Sequence, residues 1–295
     1  KGAGPRALIG AHVTPLQAGQ EVDASEALKS AVGALQLPLR TMNIAVSGQW
    51  VIIRVVEMPT MKPAEMKQAL PFEAQRYLPF PVQDVVIDGV ALGPADANKM
   101  WVLIVACKKE LLDRRIDWAK RAGCDVALID VDALALANSY LAHTNGRSGA
   151  GARALINVGA QMTNLVVVRG DVPYLVRDIP WGGDKLARGT ADQLGIEVDA
   201  VKKELLQGQV SREVQEAMRL ASESLSAELQ LSFDYFENRF GQPPEEILVS
   251  GGLSLCSGFF EALKSHVTQT VSPWAPMSGL SGHYAVAYGL ALRVA

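Results

Sequence analysis

The chain has 295 residues, 49% of them hydrophobic, and a formal net charge of −3. That length and apolar content suit one large domain or two medium ones with a full core, and the balance of charge excludes a nucleic-acid surface built on basic excess. Cys107, Cys124 and Cys256 stand far apart with no CxxC or Cys/His cluster, which argues against a disulfide framework or a zinc site and for reduced, buried thiols. No apolar run approaches the roughly 18–20 residues a membrane span requires, and no signal peptide is visible.

In chain order, residues 24–36 carry apolar side chains at helical spacing, and residues 41–46 and 51–56 read as strands on either side of Gly48. Pro63 suits the first turn of a helix over 64–78, which Pro71 should kink or split. Residues 84–92 and 100–107 read as paired strands, with Gly93, Pro94 and Asn98 between them. An amphipathic helix over 108–122 stops at Gly123, and its charged side chains Glu110, Asp113, Arg114, Arg115, Asp117, Lys120 and Arg121 read as a solvated face. A short buried strand at 126–129 follows, then a helix over 133–142 that Asp132 can cap. Residues 145–151 are linker-like. A strand–turn–strand unit spans 153–178. Trp181-Gly182-Gly183 opens a helix at Asp184, and a second helix lies within 195–207. From Ser211 to Phe240 one stripe of apolar residues (Val214, Met218, Ala221, Leu225, Leu229, Phe233, Phe236) predicts a helix roughly 45 Å long, core-facing. Residues 284–293 close the chain as an Ala/Leu-rich helix.

Two glycine turns carry the chemistry. A phosphate group is held best by converging N–H donors on backbone that can approach closely. Asn157-Val158-Gly159-Ala160-Gln161-Met162-Thr163 offers such donors, with the Thr163 hydroxyl in addition. Gly251-Gly252, between a strand and a short helix beginning near Leu253 or Ser254, suits a flat ligand face or a phosphate. An ordinary hairpin and an ordinary tight turn would show the same residues. Gly182-Gly183, ahead of a helix, is a third candidate. His12, His143, His266 and His283 share no metal-binding spacing, and no GxSxG, GxxxxGK[ST] or HExxH occurs.

Three glycine turns in this order, with a helical block between the second and third, resemble the actin-like ATPase fold of actin, Hsp70, FtsA and sugar kinases. A narrower resemblance is carried by Met58-Pro59 with Glu73-Ala74-Gln75-Arg76-Tyr77-Leu78-Pro79-Phe80-Pro81, by Leu103-Ile104-Val105-Ala106-Cys107-Lys108-Lys109-Glu110, and by Asp130-Val131-Asp132-Ala133-Leu134-Ala135-Leu136. Asn157-Val158-Gly159-Ala160-Gln161-Met162-Thr163, Ser250-Gly251-Gly252 and the closing Gly289-Leu290-Ala291-Leu292-Arg293 belong to the same set. Together these resemble the PilM family of type IV pilus assembly over nearly the whole chain.

The resemblance implies an α/β, two-lobed actin-like fold. A first lobe would span 1–126, with an inserted small α/β subdomain at about 43–125. A second would span 127–295, with a helical subdomain at about 184–242. It implies ATP with Mg²⁺ in the cleft, bound by Asn157, Gly159, Ala160, Gln161, Thr163, Gly182, Gly183, Gly251, Gly252 and Ser254. It implies a cytoplasmic protein without membrane insertion, peripheral at the inner membrane through the N-terminal tail of a PilN-like partner and joined to other pilus inner-membrane and motor components. The exposed strand edge of the small subdomain is the expected dock for that peptide.

The family's first phosphate turn is expected upstream of Lys1, with Leu8-Ile9-Gly10-Ala11-His12-Val13 resembling the strand that follows it. Asn157 stands where the family carries Asp, Ala187 where it carries Thr, and Lys202 and Lys203 lie one turn before the position of its Lys, near Leu205. Asn brings no charge to orient water around a cation, so ATP turnover is expected to be weak at most. A nucleotide-free scaffold of a pilus, secretion or competence system, and a small-molecule kinase of the same superfamily, are the alternative functions.

Overall fold

The structure is a computed structural model that describes residues 7–16, 24–144, 149 and 151–293. Most of the linker-like stretch at 145–151 lies outside those residues. Residues 7–16 form no strand, contrary to the expectation for 8–13.

Helix α1 (Ser25–Ala34) precedes β1 (Thr41–Val46), and β2 (Val51–Pro59) follows after Gly48. The two strands do not pair with each other. β1 joins β5 (Asp125–Val131) in a parallel pair, while β2 belongs to an antiparallel sheet of order β2-β4-β3, with β3 at Val85–Asp96 and β4 at Lys99–Lys108. Between β2 and β3 lies α2 (Pro63–Ala74), whose start combines Pro63 at the first position with the Glu65 carboxylate accepting from the Lys62 N–H at 2.9 Å. Pro71 does not split this helix. The α-helical hydrogen bonds end at Ala74 and the chain turns over residues 75–77, short of the expected 78, because a proline ring near the last turn removes a donor and crowds the preceding carbonyls. Helix α3 (Lys109–Arg121) leads to β5, and α4 (Asp132–Thr144) follows directly.

The second half is built on a five-stranded sheet of order β10-β9-β6-β7-β8. Its strands are β6 (Ala152–Val158), β7 (Thr163–Arg169), β8 (Val172–Ile179), β9 (Glu246–Ser250) and β10 (Thr270–Pro273). β6, β9 and β10 run parallel, whereas β6-β7-β8 is an antiparallel meander. Alternation along these strands serves two cores. Ala154, Ile156, Leu165 and Val167 face helices α5 (Gly183–Leu194), α6 (Val198–Gln207), α7 (Arg212–Ala221), α8 (Glu223–Phe240) and α9 (Ser257–Lys264). Leu155, Val166 and Val168 face α4 and α10 (Ala285–Ala291). Leu136, Ala137 and Tyr140 of α4 belong to the same core as Val51 and Ile53 of β2 and Leu103 of β4, so α4 is a layer shared by both halves. The opposite face of the three-stranded sheet packs Val56, Val102 and Ile104 on Met66 and Leu70 of α2.

The expected single helix from 211 to 240 is two helices that meet at Ser222. The Ser222 hydroxyl is buried and donates to the Met218 carbonyl at 2.8 Å. Such back-bonding competes with the regular ladder and bends helices. The apolar stripe survives the break, and Val214, Met218, Leu225, Leu229, Phe233 and Phe236 all lie in one core. All three cysteines are free and buried, as expected, and burial pushes the Cys107 thiol up to about 11.

Phe233→Ala is expected to cost about 3–5 kcal/mol through the cavity it leaves, whereas Leu231→Ala, on the 62% exposed outer face of the same helix, should cost less than about 0.5 kcal/mol. Urea unfolding followed by circular dichroism separates the two.

Candidate functional site

Parallel pairing sets Asn157 beside Ser250, and the Ser250 hydroxyl donates to the Ile156 carbonyl at 3.0 Å. The turns that leave the carboxyl ends of β6 and β9 therefore emerge side by side, the place where parallel α/β sheets hold ligands. Gly251 adopts φ 88°, and a Cβ there would stand 2.5 Å from the Val158 carbonyl oxygen. Only glycine permits both that conformation and that approach. After it, a 3₁₀ turn (Gly252–Leu255) forms, closed by the Ser254 hydroxyl donating to the Gly251 carbonyl at 2.6 Å.

The third glycine turn locks onto the first. The Gly183 N–H donates to the Gly159 carbonyl at 2.9 Å and the Asp184 N–H to the Ala160 carbonyl at 2.7 Å. A Cβ on Gly182 would stand 2.6 Å from the Ala160 carbonyl. The structure thus brings together Gly159, Ala160, Gly182, Gly183, Gly251, Gly252 and Ser254. It also gives them unequal parts. The first N–H groups of α5, which Gly182-Gly183 was expected to offer to a phosphate, are committed to the neighbouring turn. Thr163 is buried, and its hydroxyl donates to the Trp181 carbonyl at 2.8 Å, so it holds the two turns together instead of reaching outward. The backbone N–H groups of Ala160, Gln161 and Met162 make no hydrogen bond among the described residues, and Ala160 and Gln161 are exposed.

Asn157 does not stand alone. Its Nδ2 donates to Asn164 Oδ1 at 3.1 Å, Asn164 Nδ2 donates to Asp178 Oδ1 at 2.8 Å, and Asp178 Oδ2 accepts from the Gly48 N–H at 2.6 Å. The neighbouring Ser47 hydroxyl donates to Asp132 Oδ2 at 2.6 Å. A polar chain therefore runs from the end of β6, across β7 and β8, to the turn between β1 and β2. Burial pushes the Asp132 carboxyl above its ordinary value of 3.8. Asp178 and Asp130 push the same way, and the Ser47 hydrogen bond and Arg115 oppose them. Burial likewise raises Asp178, against the hydrogen bonds from Gly48 and Asn164. Asp132 was expected only as a helix cap, and Asn164 and Asp178 carried no signal, because their partners lie up to 130 residues away in sequence.

Between this turn and the Gln161–Met162 tip lies an open cleft of about 700 Å³, lined among others by Trp50, Arg54, Arg114, Arg115, Arg177 and Asp178. Arg115, expected on a solvated helix face, is instead half-buried, with its guanidinium 4.5 Å from the Trp118 ring centroid. Lys202, one turn before the expected Lys position, bridges to Asp184 at 2.7 Å and ties α6 to the start of α5. His143 and His266 bond the carbonyls of Pro276 and Arg219, and His283 stacks on Tyr284. Among the described residues no group of three or more His, Cys, Asp or Glu side chains converges on a point. Asp132 and Asp178 already serve Ser47, Gly48 and Asn164, and Asn157 is neutral. This donor set does not fit a Mg²⁺ ion held by carboxylates.

The model of the type IV pilus assembly protein PilM family matches residues 13–295. The chain belongs to that family. A solved PilM–PilN type IV pilus biogenesis complex is similar with a TM-score of 0.78 and 24% identity, over 91% of this chain and 83% of that one. The cytoplasmic domain of EpsL, an inner-membrane component of the type II secretion system of Vibrio cholerae, is similar with a TM-score of 0.50 and 17% identity, over 92% and 82%. MreB5 of Spiroplasma citri bound to AMPPNP gives 0.46 and 12%, over 62% of each chain. The fold is the actin-like α/β fold.

The raised Asp132 carboxyl fixes the sign of a pH effect. A folded-state value above the unfolded one means folding favours the protonated acid, so stability contributed below the ordinary 3.8 is lost as pH rises through the raised value. Asp132→Asn removes that titration. The wild type should lose stability relative to the Asn variant as pH climbs from about 4 toward neutrality, read as the difference in thermal midpoints across a pH series. A difference that does not change with pH would contradict the assignment.

Proposed function

We propose that the chain is a nucleotide-binding adaptor of type IV pilus assembly that takes the N-terminal tail of a PilN-like inner-membrane protein. Its family membership and its likeness to the chain of a PilM–PilN complex support the pilus role. The observation that carries the peptide reading is a groove of about 430 Å³ between the three-stranded sheet and the β5–α4 segment. It is lined by Val86, Asp88 and Val90 of β3, Leu103 and Val105 of β4, Ile129 and Val131 of β5, and Leu134 of α4.

β3 pairs on one side only, with β4, which leaves its outer edge open to a further strand. Val86 and Val90 are 48% and 53% exposed although apolar, and they face the groove with the buried Leu103 beneath. At the groove's end Arg293 Nε lies 3.5 Å from Asp130 Oδ2, and Asn43 Nδ2 donates to the Leu290 carbonyl at 2.8 Å, fixing the end of α10 there. An extended apolar peptide fits such a place: main-chain bonds supply affinity, and the pocket reads alternate side chains.

The division into lobes belongs to the same reading. Residues 1–126, with an inserted subdomain at about 43–125, form the first lobe, and 127–295, with a helical subdomain at about 184–242, the second. ATP lies at the turns of Gly159 and Gly251-Gly252, with Gly182-Gly183 buttressing the first of them, and its turnover is weak because Asn157 is neutral. Among the described residues no helix is long and apolar enough to cross a membrane, and the chain sits at the inner membrane through its partner, linked to other pilus components.

A labelled peptide matching the N-terminal tail of a PilN-like protein should bind the wild type. Val90→Asp should weaken that binding by at least about tenfold with the melting temperature unchanged, since Val90 is exposed. Fluorescence anisotropy of the peptide reads the binding, and a thermal melt followed by circular dichroism reads the stability. Absence of binding at high micromolar peptide would sink the pilus adaptor reading.

A further inference from the structure

The cleft between the Ser47–Gly48 turn and the Gln161–Met162 tip combines two sets of unanswered donors. One is Arg115 Nε, buried and without a hydrogen-bond acceptor among the described residues. The other is the pair of N–H groups of Gln161 and Met162, which make no bond there. Around them the lining is cationic. Arg54, Arg114, Arg115 and Arg177 stand against one carboxylate, Asp178, in a chain whose net charge is −3. Arg177 is answered by Glu228 at 3.1 Å and Arg114 by Glu110 at 3.3 Å. Lys108 and Arg114 also lie 5.0 and 5.4 Å from the Trp50 ring centroid at the rim. Arg54 donates to the Ile53 carbonyl at 2.8 Å, and Arg115 remains as a half-buried cation whose opposite charge, Asp132, is bonded to Ser47. A buried guanidinium with an open donor favours an anion beside it.

We infer that this cleft is a polyphosphate site in which Arg115, together with the amides of Gln161 and Met162, meets the ligand's negative charge in place of a divalent cation. The inference rests on the nucleotide reading for the identity of the ligand, and on the cleft alone for its charge. Guanidinium groups supply fixed donors in a fork that matches phosphate oxygens, whereas Asn157 and the committed carboxylates leave a cation without a cage. Arg115 acts here as a binding residue, on a helix that also carries the small subdomain's packing.

Calorimetry on the full chain with two probes, inorganic tripolyphosphate and ATP, each with Mg²⁺ and with EDTA, tests it. The expected result is that both bind, that EDTA changes either affinity less than about threefold, and that Arg115→Gln weakens both by at least about tenfold, the loss of one charge-assisted hydrogen bond. Arg115→Lys should recover part of the loss. Thermal melts of both variants establish that they fold; should Arg115→Gln not fold, Arg115→Lys against the wild type carries the test, and equal tripolyphosphate affinities would overturn the inference. Tripolyphosphate that binds while ATP does not would remove the nucleotide reading and leave this inference standing. ATP binding that needs Mg²⁺ and ignores Arg115→Gln would overturn the inference and leave the nucleotide reading intact. Binding of neither probe overturns both.

Discussion

The close approach of three glycine-containing backbones at the carboxyl ends of β6 and β9 is the constraint on which the rest depends. Gly251 lies against Val158, and Gly182 lies against Gly159 and Ala160 at distances a side chain could not share. Because those turns touch, α5 begins where β6 ends, and the 3₁₀ turn after β9 rests on both. The buried apolar faces of α5, α7, α8 and α9 then close one side of the sheet. Without the turn contacts, the same helices could pack on the same sheet in another rotation.

The second organising contact is polar. The turn that leads from β1 into the small subdomain is fixed by two carboxylates from different elements, Asp132 on α4 and Asp178 on β8. Both are half-buried acids whose partial burial favours the protonated form. Their position explains why α4 serves as a shared layer. Its first residue reaches the Ser47 turn while its apolar face joins the strands of both halves.

Much of the fold was legible in the sequence because period and punctuation agree with tertiary packing. The stripe from Val214 to Phe236 identified a core face, and Gly123, Pro63 and the Gly251-Gly252 pair marked real ends. What failed did so where a single side chain overrode a pattern. Ser222 broke a helix whose apolar spacing runs straight through it, by bonding its own backbone. Pro71 sat too close to a helix end to divide it. At the candidate site the glycines were legible because close approach demands them, but the functions of Thr163, Asn164, Asp178 and Arg115 were not. Each is set by how elements meet in the fold, as when Asp178 reaches Gly48, and Arg115 looked like any other charge on an exposed helix face until Trp118 and the Ser47 turn enclosed it.

The hydrogen bonds from Gly183 and Asp184 to the carbonyls of Gly159 and Ala160 have a mechanical meaning. They weld the tip of the β6–β7 hairpin to the helical block, so those two parts behave as one fixed jaw. The opposite jaw, the Ser47–Gly48 turn, is held by the carboxylates of Asp132 and Asp178 and by the strand pairing of β1 and β2 on either side of it. β2 leaves directly from that turn, so the carboxylates that fix the turn also fix where the three-stranded sheet begins.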